Sequence, residues 1–562
     1  MQRTSLVVVL LAGLVTVIIF SVYMVLKELQ EKAEMSALSP YSYIPEDATM
    51  VYQLNDLTKV NKLMPANPSL TQESLSGVFS IKDFSDILNI IVSLTGEAGS
   101  NTRIPAKTSM LISLHLQEKK SEGNYLFVIS LPQGRRSDKQ IAAMMNKLAV
   151  DEFFSVAEKE DSDIFMFQSG GDSGDIFIIP VRNSILISQN YSLLEKSLES
   201  AGQQKSIHNL PAFNDMMAFA DDHSDNLFIE TGSFSDFTLD YFFWDHPLSI
   251  DFSILSGWQL LKPDLTDSLL KFEGLFISPP DGFFSSLNFQ KPAKSDIWDM
   301  IPREPALLLR VQMPDTELFR QDLTFVLKQN KKYALHELNR RRFNDITDLH
   351  PDSIKDFWTG ELAMVLPGNE PLQNEFPVIV LGIRNFGNIL NHPRLSLFFQ
   401  KNNGKTMNKT SYSELIEVTI PGFFATLTHG LIKDDIKWLI QRGDYLLASA
   451  NKENLVKYQE YLTDDTRFSF PIANNNLTKI ELTEQNILFY FSMPLLLENY
   501  EVMFTDRFLD MLEENETGEA LLEFHPAIFG FKQQDERGNN IISNTLLKHN
   551  KREYQPIQKP NK

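Results

Sequence analysis

Ile185–Asn190 reads ILISQN, and 261 residues further along the chain Leu446–Asn451 reads LLASAN. In both segments a short apolar strand pattern ends in Ser-x-Asn, and a helical pattern follows at once. Asparagine is a preferred residue at the N-cap of a helix, so each segment predicts a strand that runs directly into a helix. A junction of this kind, used twice, indicates one fold unit present in two copies.

Three more pairs of segments recur in the same order. They are Ile44–Val51 with Ile301–Leu308 at a displacement of 257, Asp175–Ile178 with Asp435–Trp438 at 260, and Asn226–Ile229 with Asn486–Phe489 at 260. The alternative is that β-rich sequences resemble one another by composition alone. Because the order is kept and the displacement stays within 257–261, an internal duplication is the better explanation.

Apolar residues that alternate along short runs predict strands, and runs with helical spacing predict helices. In the first copy the strands are Met50–Leu54, Met110–Gln117, Asn124–Leu131, Phe153–Glu158, Ile164–Gln168, Ile176–Val181, Ile185–Ser188, Leu227–Glu230, Trp258–Leu261 and Leu269–Ile277; the helices are Ile81–Leu94, Ser137–Leu148, Tyr191–Ser200 and Pro211–Ala220. The second copy closes with strands Ile528–Gln533 and Asn540–Lys548. Strands outnumber helices and follow one another through short turns, which predicts an α+β fold of two repeated, mostly antiparallel sheet-plus-helix units.

The chain is predicted to begin with a single transmembrane helix. Residues 6–26 contain no charged side chain, and a helix of 21 residues is about 31 Å long, which matches the apolar core of a bilayer. Arg3 precedes this segment, whereas an excess of acidic residues follows it, so we expect a cytoplasmic N-terminus and an exported remainder. The alternative is a cleaved signal peptide, which has a shorter apolar stretch and a small-residue cleavage site.

These patterns divide the chain into six parts. They are a cytoplasmic N-terminus at 1–5, the signal-anchor helix at 6–26, a juxtamembrane linker at 27–40, repeat unit one at 41–290, repeat unit two at 291–550 and a disordered tail at 551–562. The boundary between the units is a stretch rich in Pro, Gly and Ser that begins at Ser278.

Charge and cysteine content exclude several classes of function. The net charge is −21, which opposes binding to a nucleic-acid backbone. The chain has no cysteine, which excludes disulfides, thiolate metal sites, thiol nucleophiles and a lipoprotein anchor. A large eukaryotic ectodomain without disulfides would be unusual, although Asn-x-Ser/Thr sites such as Asn190 make a lumenal domain formally possible. We therefore expect the bacterial inner membrane, with the bulk of the chain in the periplasm.

Four motifs invite a chemical interpretation, and each has a simpler one. Gly171–Asp175 resembles the surround of a serine nucleophile but lies between two predicted strands, where a hairpin turn is expected. Asp221–Asp225 offers several metal-ligand types, but adjacent residues on a loop do not converge on one ion. The acidic group from Glu513 to Glu523 and the basic run Arg340–Arg342 both fit solvated helix faces. The sequence thus identifies no catalytic residue, no metal site and no cofactor.

The layout resembles uncharacterised bacterial envelope proteins that are membrane-anchored and carry a duplicated, exported α+β domain. The resemblance rests on the anchor, the entry Ile44–Ala48 and the strand–strand–helix block that ends at Ser188–Ser200. It brings no catalytic residues with it. The membrane tether, the duplication and the absence of a recognisable reaction centre favour a protein that is not an enzyme and that binds or scaffolds other envelope components. Two alternatives remain: a cell-wall or polysaccharide hydrolase that uses two carboxylates brought together by the fold, or a protein that binds an apolar ligand.

Overall fold

The structure is a computed structural model. It describes residues 39–57, 87–88, 90–92, 95–96, 104–105, 108–117, 120–131, 154–158, 164–169, 175–181, 184–221, 223–233, 256–265, 269–287, 289–291, 293, 295–372, 376–402, 414–433, 436–462, 468, 484–509, 524–533 and 541–549. The predicted anchor at 6–26, the helix Ser137–Leu148 and the tail at 551–562 lie outside these residues. Within them, no helix has the length and apolar character needed to cross a bilayer.

One antiparallel sheet of 20 strands forms the body of the protein. The first copy contributes β1 (Met50–Leu54), β2 (Met110–Gln117), β3 (Lys120–Ser130), β4 (Phe154–Glu158), β5 (Phe165–Ser169), β6 (Asp175–Val181), β7 (Ser184–Ser188), β8 (Asn226–Glu230), β9 (Trp258–Leu265) and β10 (Leu269–Ile277). The second contributes β11 (Pro305–Gln312), β12 (Trp358–Pro367), β13 (Val378–Ile383), β14 (Phe399–Asn402), β15 (Leu415–Val418), β16 (Trp438–Arg442), β17 (Tyr445–Ser449), β18 (Ile487–Phe491), β19 (Phe524–Gln533) and β20 (Ile541–His549). A separate two-stranded parallel pair joins Thr95–Gly96 and Ile104–Pro105.

The described α-helices flank this sheet. In the first copy they are α1 (Tyr191–Gln203) and α2 (Pro211–Met217). In the second they are α3 (Thr316–Gln329), α4 (Tyr333–Thr347), α5 (Phe386–Leu390), α6 (Phe423–Leu427), α7 (Lys452–Tyr461) and α8 (Met493–Tyr500). Residues 87–88 and 90–92, the described part of the predicted helix Ile81–Leu94, are also helical.

The strand order confirms the predicted duplication. In the first copy neighbouring strands run β4, β5, β6, β7, β3, β2, β1, β8, β9, β10. The second copy repeats this order with every strand number raised by ten. The α+β class and the two similar units are therefore confirmed.

Individual hydrogen bonds repeat at the displacements read from the sequence. Ser197 Oγ donates to the Tyr43 carbonyl at 2.5 Å, and Tyr458 Oη donates to the Met300 carbonyl at 2.8 Å. The carbonyl acceptors are 257 residues apart and the donors are 261 apart. The turn before β1 is thus tied to α1 in the same way as the turn before β11 is tied to α7.

The two copies join edge to edge through their last strands. β10 pairs with β20 in antiparallel register, with Phe272 opposite Thr545. Equivalent strands that pair antiparallel relate the two copies by an approximate two-fold axis through this seam, which we define as β10 and β20. Phe276 of the first copy lies 5.7 Å from Phe531 of the second, ring centre to ring centre, so the apolar core continues across the seam.

Apolar clusters cover both faces of each half of the sheet. Along β7, Ile185 and Ile187 belong to one cluster and Leu186 to the other. Along β17, Leu446 and Ala448 belong to one cluster and Leu447 to the other. Because successive side chains point to opposite faces, a strand buried on both faces has consecutive apolar residues, as Ile185–Ile187 and Leu446–Ala448 do.

The strand-to-helix junctions provide a first test of the repeat. The side chain of Asn190 accepts a hydrogen bond from the Leu193 amide at 3.1 Å, and that of Asn451 accepts one from the Glu453 amide at 2.9 Å. We expect Asn190→Ala and Asn451→Ala each to lower the free energy of unfolding by ~1 kcal/mol, since each leaves a helix amide without its cap. Urea unfolding curves of the full chain measure both losses, and the substitution of exposed Asn209 by alanine provides the control. A loss at only one junction would contradict the structural equivalence of the two copies.

Candidate interaction surface

The motif that resembles a serine nucleophile lies, in the sequence, between two paired strands. Residues 170–174 are outside the described part of the chain, and the strands on either side pair antiparallel, with Gln168 opposite Asp175. The hairpin turn stays a prediction, and it would account for the motif because such turns favour Gly, Asp and Ser.

The described carboxylates of the segment Asp221–Asp225 accept hydrogen bonds from neighbouring groups. Asp221 accepts hydrogen bonds from the His223 amide at 2.9 Å and from Ser224 Oγ at 2.8 Å, and the first of these bonds lowers its pKa. Asp225 accepts a hydrogen bond from the Asn55 amide at 3.1 Å. Across the described residues no group of three or more His, Asp or Glu side chains is placed to hold a metal ion. The acidic group from Glu513 to Glu523 lies outside the described residues.

A buried ion pair that the sequence analysis did not identify lies between β11 and β12. Arg310 is 0% exposed, and its guanidinium donates to Glu361 Oε1 at 3.1 Å and to the Gln485 carbonyl at 2.9 Å. The same guanidinium lies 5.0 Å from the centre of the Trp298 ring. Burial lowers the pKa of Arg310 while Glu361 raises it, and arginine retains its charge in such a setting. The only sequence signal is one arginine within an apolar strand.

Glu361 is satisfied from several sides. Ser295 Oγ donates to Oε1, and Tyr445 Oη donates to Oε2 at 3.3 Å. Burial, followed by the charge of Glu361, raises the pKa of Tyr445 above its usual range. In the first copy, Phe228, the counterpart of Leu488 at the displacement of 260, pairs with the apolar Val51, whereas Leu488 pairs with Arg310. The cluster is therefore an enclosed structural feature of the second copy.

Four of the nine large hydrophobic side chains that are exposed in the described residues lie on a helical hairpin, α3 and α4, inserted between β11 and β12. α3 begins at the N-cap Asp315, whose side chain accepts a hydrogen bond from the Leu318 amide at 2.9 Å. It buries Phe319, Leu323, Val326 and Leu327. α4 ends at Asp348, which adopts a left-handed backbone conformation with φ of 54°. α4 packs mainly against α6.

The burial pattern of α4 is the reverse of a usual amphipathic helix. Its buried residues are His336, Asn339, Phe343 and Thr347, of which three are polar. Its exposed side carries Leu335, Leu338 and Ile346, which are 55%, 43% and 44% exposed. Together with exposed Arg342 these residues follow helical spacing, so they share one face. We define Leu335, Leu338, Arg342 and Ile346 as the α4 stripe.

The hairpin is basic in an acidic protein. Between Thr316 and Thr347 there are seven basic residues, Arg320, Lys328, Lys331, Lys332, Arg340, Arg341 and Arg342, and four acidic residues, Glu317, Asp322, Glu337 and Asp345. This segment therefore carries a net charge of +3, whereas the whole chain carries −21. The basic run predicted to lie on a helix does so: Arg340 contacts Asp352 at 2.9 Å, and Arg341 contacts Glu337 at 3.4 Å.

Two histidines lie beneath the hairpin. His336 of α4 and His429, just after α6, are 7% and 3% exposed, and the Nδ1 atom of each is buried without a hydrogen-bond partner in the described part of the chain. Gly430 lies so close to the imidazole of His336 that a Cβ atom at position 430 would collide with Nδ1. Burial, together with nearby arginines, lowers the pKa of each histidine from 6.5 to about 4. Both rings are therefore neutral at pH 7.

A groove of about 480 Å³ runs along the hairpin. Arg320, Lys328, Arg340 and His336 are among the residues that line it. Arg320 is paired with Glu317, and Lys328 lies 4.9 Å from the centre of the Tyr333 ring. Arg320 and Lys328 thus contact neighbouring side chains, whereas the aliphatic residues of the α4 stripe are exposed.

Comparison with known proteins found no relative with which this surface can be compared. No family model, no curated protein and no solved structure matches the chain. The arguments about function therefore rest on the chain itself.

Proposed function

We propose that this chain is a membrane-anchored envelope protein that binds or scaffolds other envelope components and is not an enzyme. The observation that carries the proposal is the seam: two copies of one unit share a single 20-stranded sheet with a continuous apolar core. Such a body holds surface features at fixed positions over a long distance, which is what a scaffold requires. The exposed aliphatic side chains of α4 add a surface suited to contact with another body.

The proposed location follows from the sequence. Residues 6–26 anchor the chain in the bacterial inner membrane, the N-terminus lies in the cytoplasm and the two repeat units lie in the periplasm. Protease added to spheroplasts should then digest the repeat units, whereas an epitope at the N-terminus should stay protected. Survival of the large fragment would contradict this orientation.

The scaffold role is tested by crosslinking in intact cells. We expect the full chain, purified under denaturing conditions, to carry a small set of envelope proteins that capture it reciprocally when they are tagged. The control is residues 1–38 fused to an unrelated exported domain, which shares the anchor but lacks the sheet. Recovery of the same proteins with the control, or of none with the full chain, would contradict the proposal.

The hydrolase alternative makes a different prediction. It requires two carboxylates that face each other across a cleft at about 5–10 Å. The carboxylates of Glu361 and Asp221, described above, instead accept hydrogen bonds from Arg310 and Ser224. No specific observation in the described residues favours hydrolysis over binding.

A further inference from the structure

We propose that the α4 stripe docks on the surface of an anionic lipid bilayer. This proposal goes beyond the scaffold role. It rests on the proposed function only because the membrane anchor would hold the stripe near a bilayer. Leu335, Leu338 and Ile346 are aliphatic, exposed and on one face of a helix, and Arg342 lies among them. Helices that lie in a membrane interface combine an aliphatic stripe with flanking Lys and Arg in this way.

Charge identifies the kind of surface that fits. The chain as a whole is strongly acidic, so an anionic bilayer repels most of it. The hairpin of α3 and α4 carries a net +3, and the stripe has exposed Lys331 before its N-terminal end and exposed Arg341 on its flank. Basic residues close to an anionic leaflet are attracted to it, and the attraction fades within a Debye length. The hairpin is thus the part that can approach such a bilayer closely.

The burial pattern of α4 supports the same conclusion. A helix that served only the interior would bury its three aliphatic residues and expose His336 and Asn339, yet α4 does the reverse. The polar residues stay inside, where Gly430 leaves room for the His336 ring. This arrangement presents the aliphatic side chains outward at the expense of burying polar groups, which a bilayer partner explains.

The absence of cysteine allows a direct experiment on the full chain. A single Leu335→Cys substitution provides a unique attachment point for the polarity-sensitive fluorophore NBD. The labelled chain is reconstituted into vesicles of phosphatidylcholine alone or of an equal mixture with phosphatidylglycerol. We expect a blue shift and a several-fold increase in emission in the anionic vesicles only. NBD at Leu397→Cys, an exposed leucine outside the hairpin, is the matched control and should not respond.

Charge reversal gives a second, independent measurement. Arg341→Glu with Arg342→Glu should weaken docking by roughly 30-fold or more, since each basic residue near an anionic surface contributes about a fivefold factor and the two new carboxylates are repelled. Lys205→Glu with Lys437→Glu changes the net charge equally at exposed sites elsewhere and should have little effect. Unchanged circular dichroism shows that each variant is folded.

The outcomes separate docking from anchoring. If the label at 335 gives the same signal in both kinds of vesicle, or the signal seen at 397, the docking proposal is wrong even when the chain is firmly inserted. If the chain is removed from vesicles by alkaline carbonate, the anchor is wrong. A response to added anionic vesicles in that case would still support docking by the stripe.

Discussion

Replacing Glu361 by leucine is expected to lower the free energy of unfolding by ~3–5 kcal/mol, the largest single effect that we anticipate. The guanidinium of Arg310 is fully enclosed, and it forms an ion pair with Glu361 at 3.1 Å. Without Glu361 the buried charge of Arg310 loses this carboxylate, and the donors Ser295 and Tyr445 lose the acceptor that Glu361 provides. The shift of the urea unfolding midpoint of the full chain, followed by tryptophan fluorescence, measures the loss.

Two further variants give this result its meaning. Arg310→Met combined with Glu361→Leu removes both charges and should recover much of the loss, because a buried pair can often be exchanged for apolar residues at little cost. Glu370→Leu breaks the exposed pair with Lys457, whose atoms lie 2.7 Å apart, and should cost less than ~1 kcal/mol. If Glu361→Leu cost no more than Glu370→Leu, the description of Arg310 as an enclosed charge would be wrong.

Local patterns were sufficient to predict much of the fold. The strand Leu269–Ile277 has the predicted bounds, and the repeated Ser-x-Asn junctions begin α1 and α7 as expected. These signals depend on residues that are near in sequence. The predicted bounds were wrong for several strands: β3 and β19 begin earlier than predicted, β9 ends later, and β4 begins one residue later.

β9 shows why strand ends were missed. It was predicted to end at Leu261, but it continues to Leu265 through Pro263. β8 pairs with Trp258–Leu261 of β9. Beyond this point the described residues give β9 a neighbour on one side, β10, where Pro263 lies opposite Phe272. A proline lacks the amide donor of an inner strand but is tolerated where one side of the strand is open. The end of β9 therefore depends on its pairing partner, which the local sequence does not show.

The seam and the α4 stripe could not be predicted for a related reason. Pairing of Phe272 with Thr545 joins residues that are far apart in the chain, and no local pattern records it. On α4, the spacing of Leu335, Leu338 and Ile346 would by itself favour a buried face. The structure instead places Phe343 and His336 inside. Which of two faces a helix buries depends on what it packs against, and here α6 determines it.

The same packing predicts a marked loss of stability in mild acid. His336 and His429 are neutral in the folded protein because burial, followed by Arg340 or Arg320, lowers the pKa of each from 6.5 to about 4. The unfolded chain takes up protons below pH 6.5, whereas the folded protein does so only near pH 4. The stabilisation is therefore complete above about pH 6.5 and is lost as the pH falls toward 4.

Each histidine should account for ~2 kcal/mol of stability lost between about pH 7.5 and pH 5, since one pKa unit corresponds to 1.36 kcal/mol. Glu337 and Glu317 lie near enough to oppose the shifts in part, and Arg320 and Arg340 reinforce them. His336→Gln with His429→Gln removes both titrating groups, so its urea midpoint should change less over this range than that of the unmodified chain. His208→Gln, at an exposed site, should leave the pH dependence unchanged. Parallel pH dependence in the double variant and the unmodified chain would mean that protons reach these rings in the folded state, and hence that α4 does not seal them from solvent.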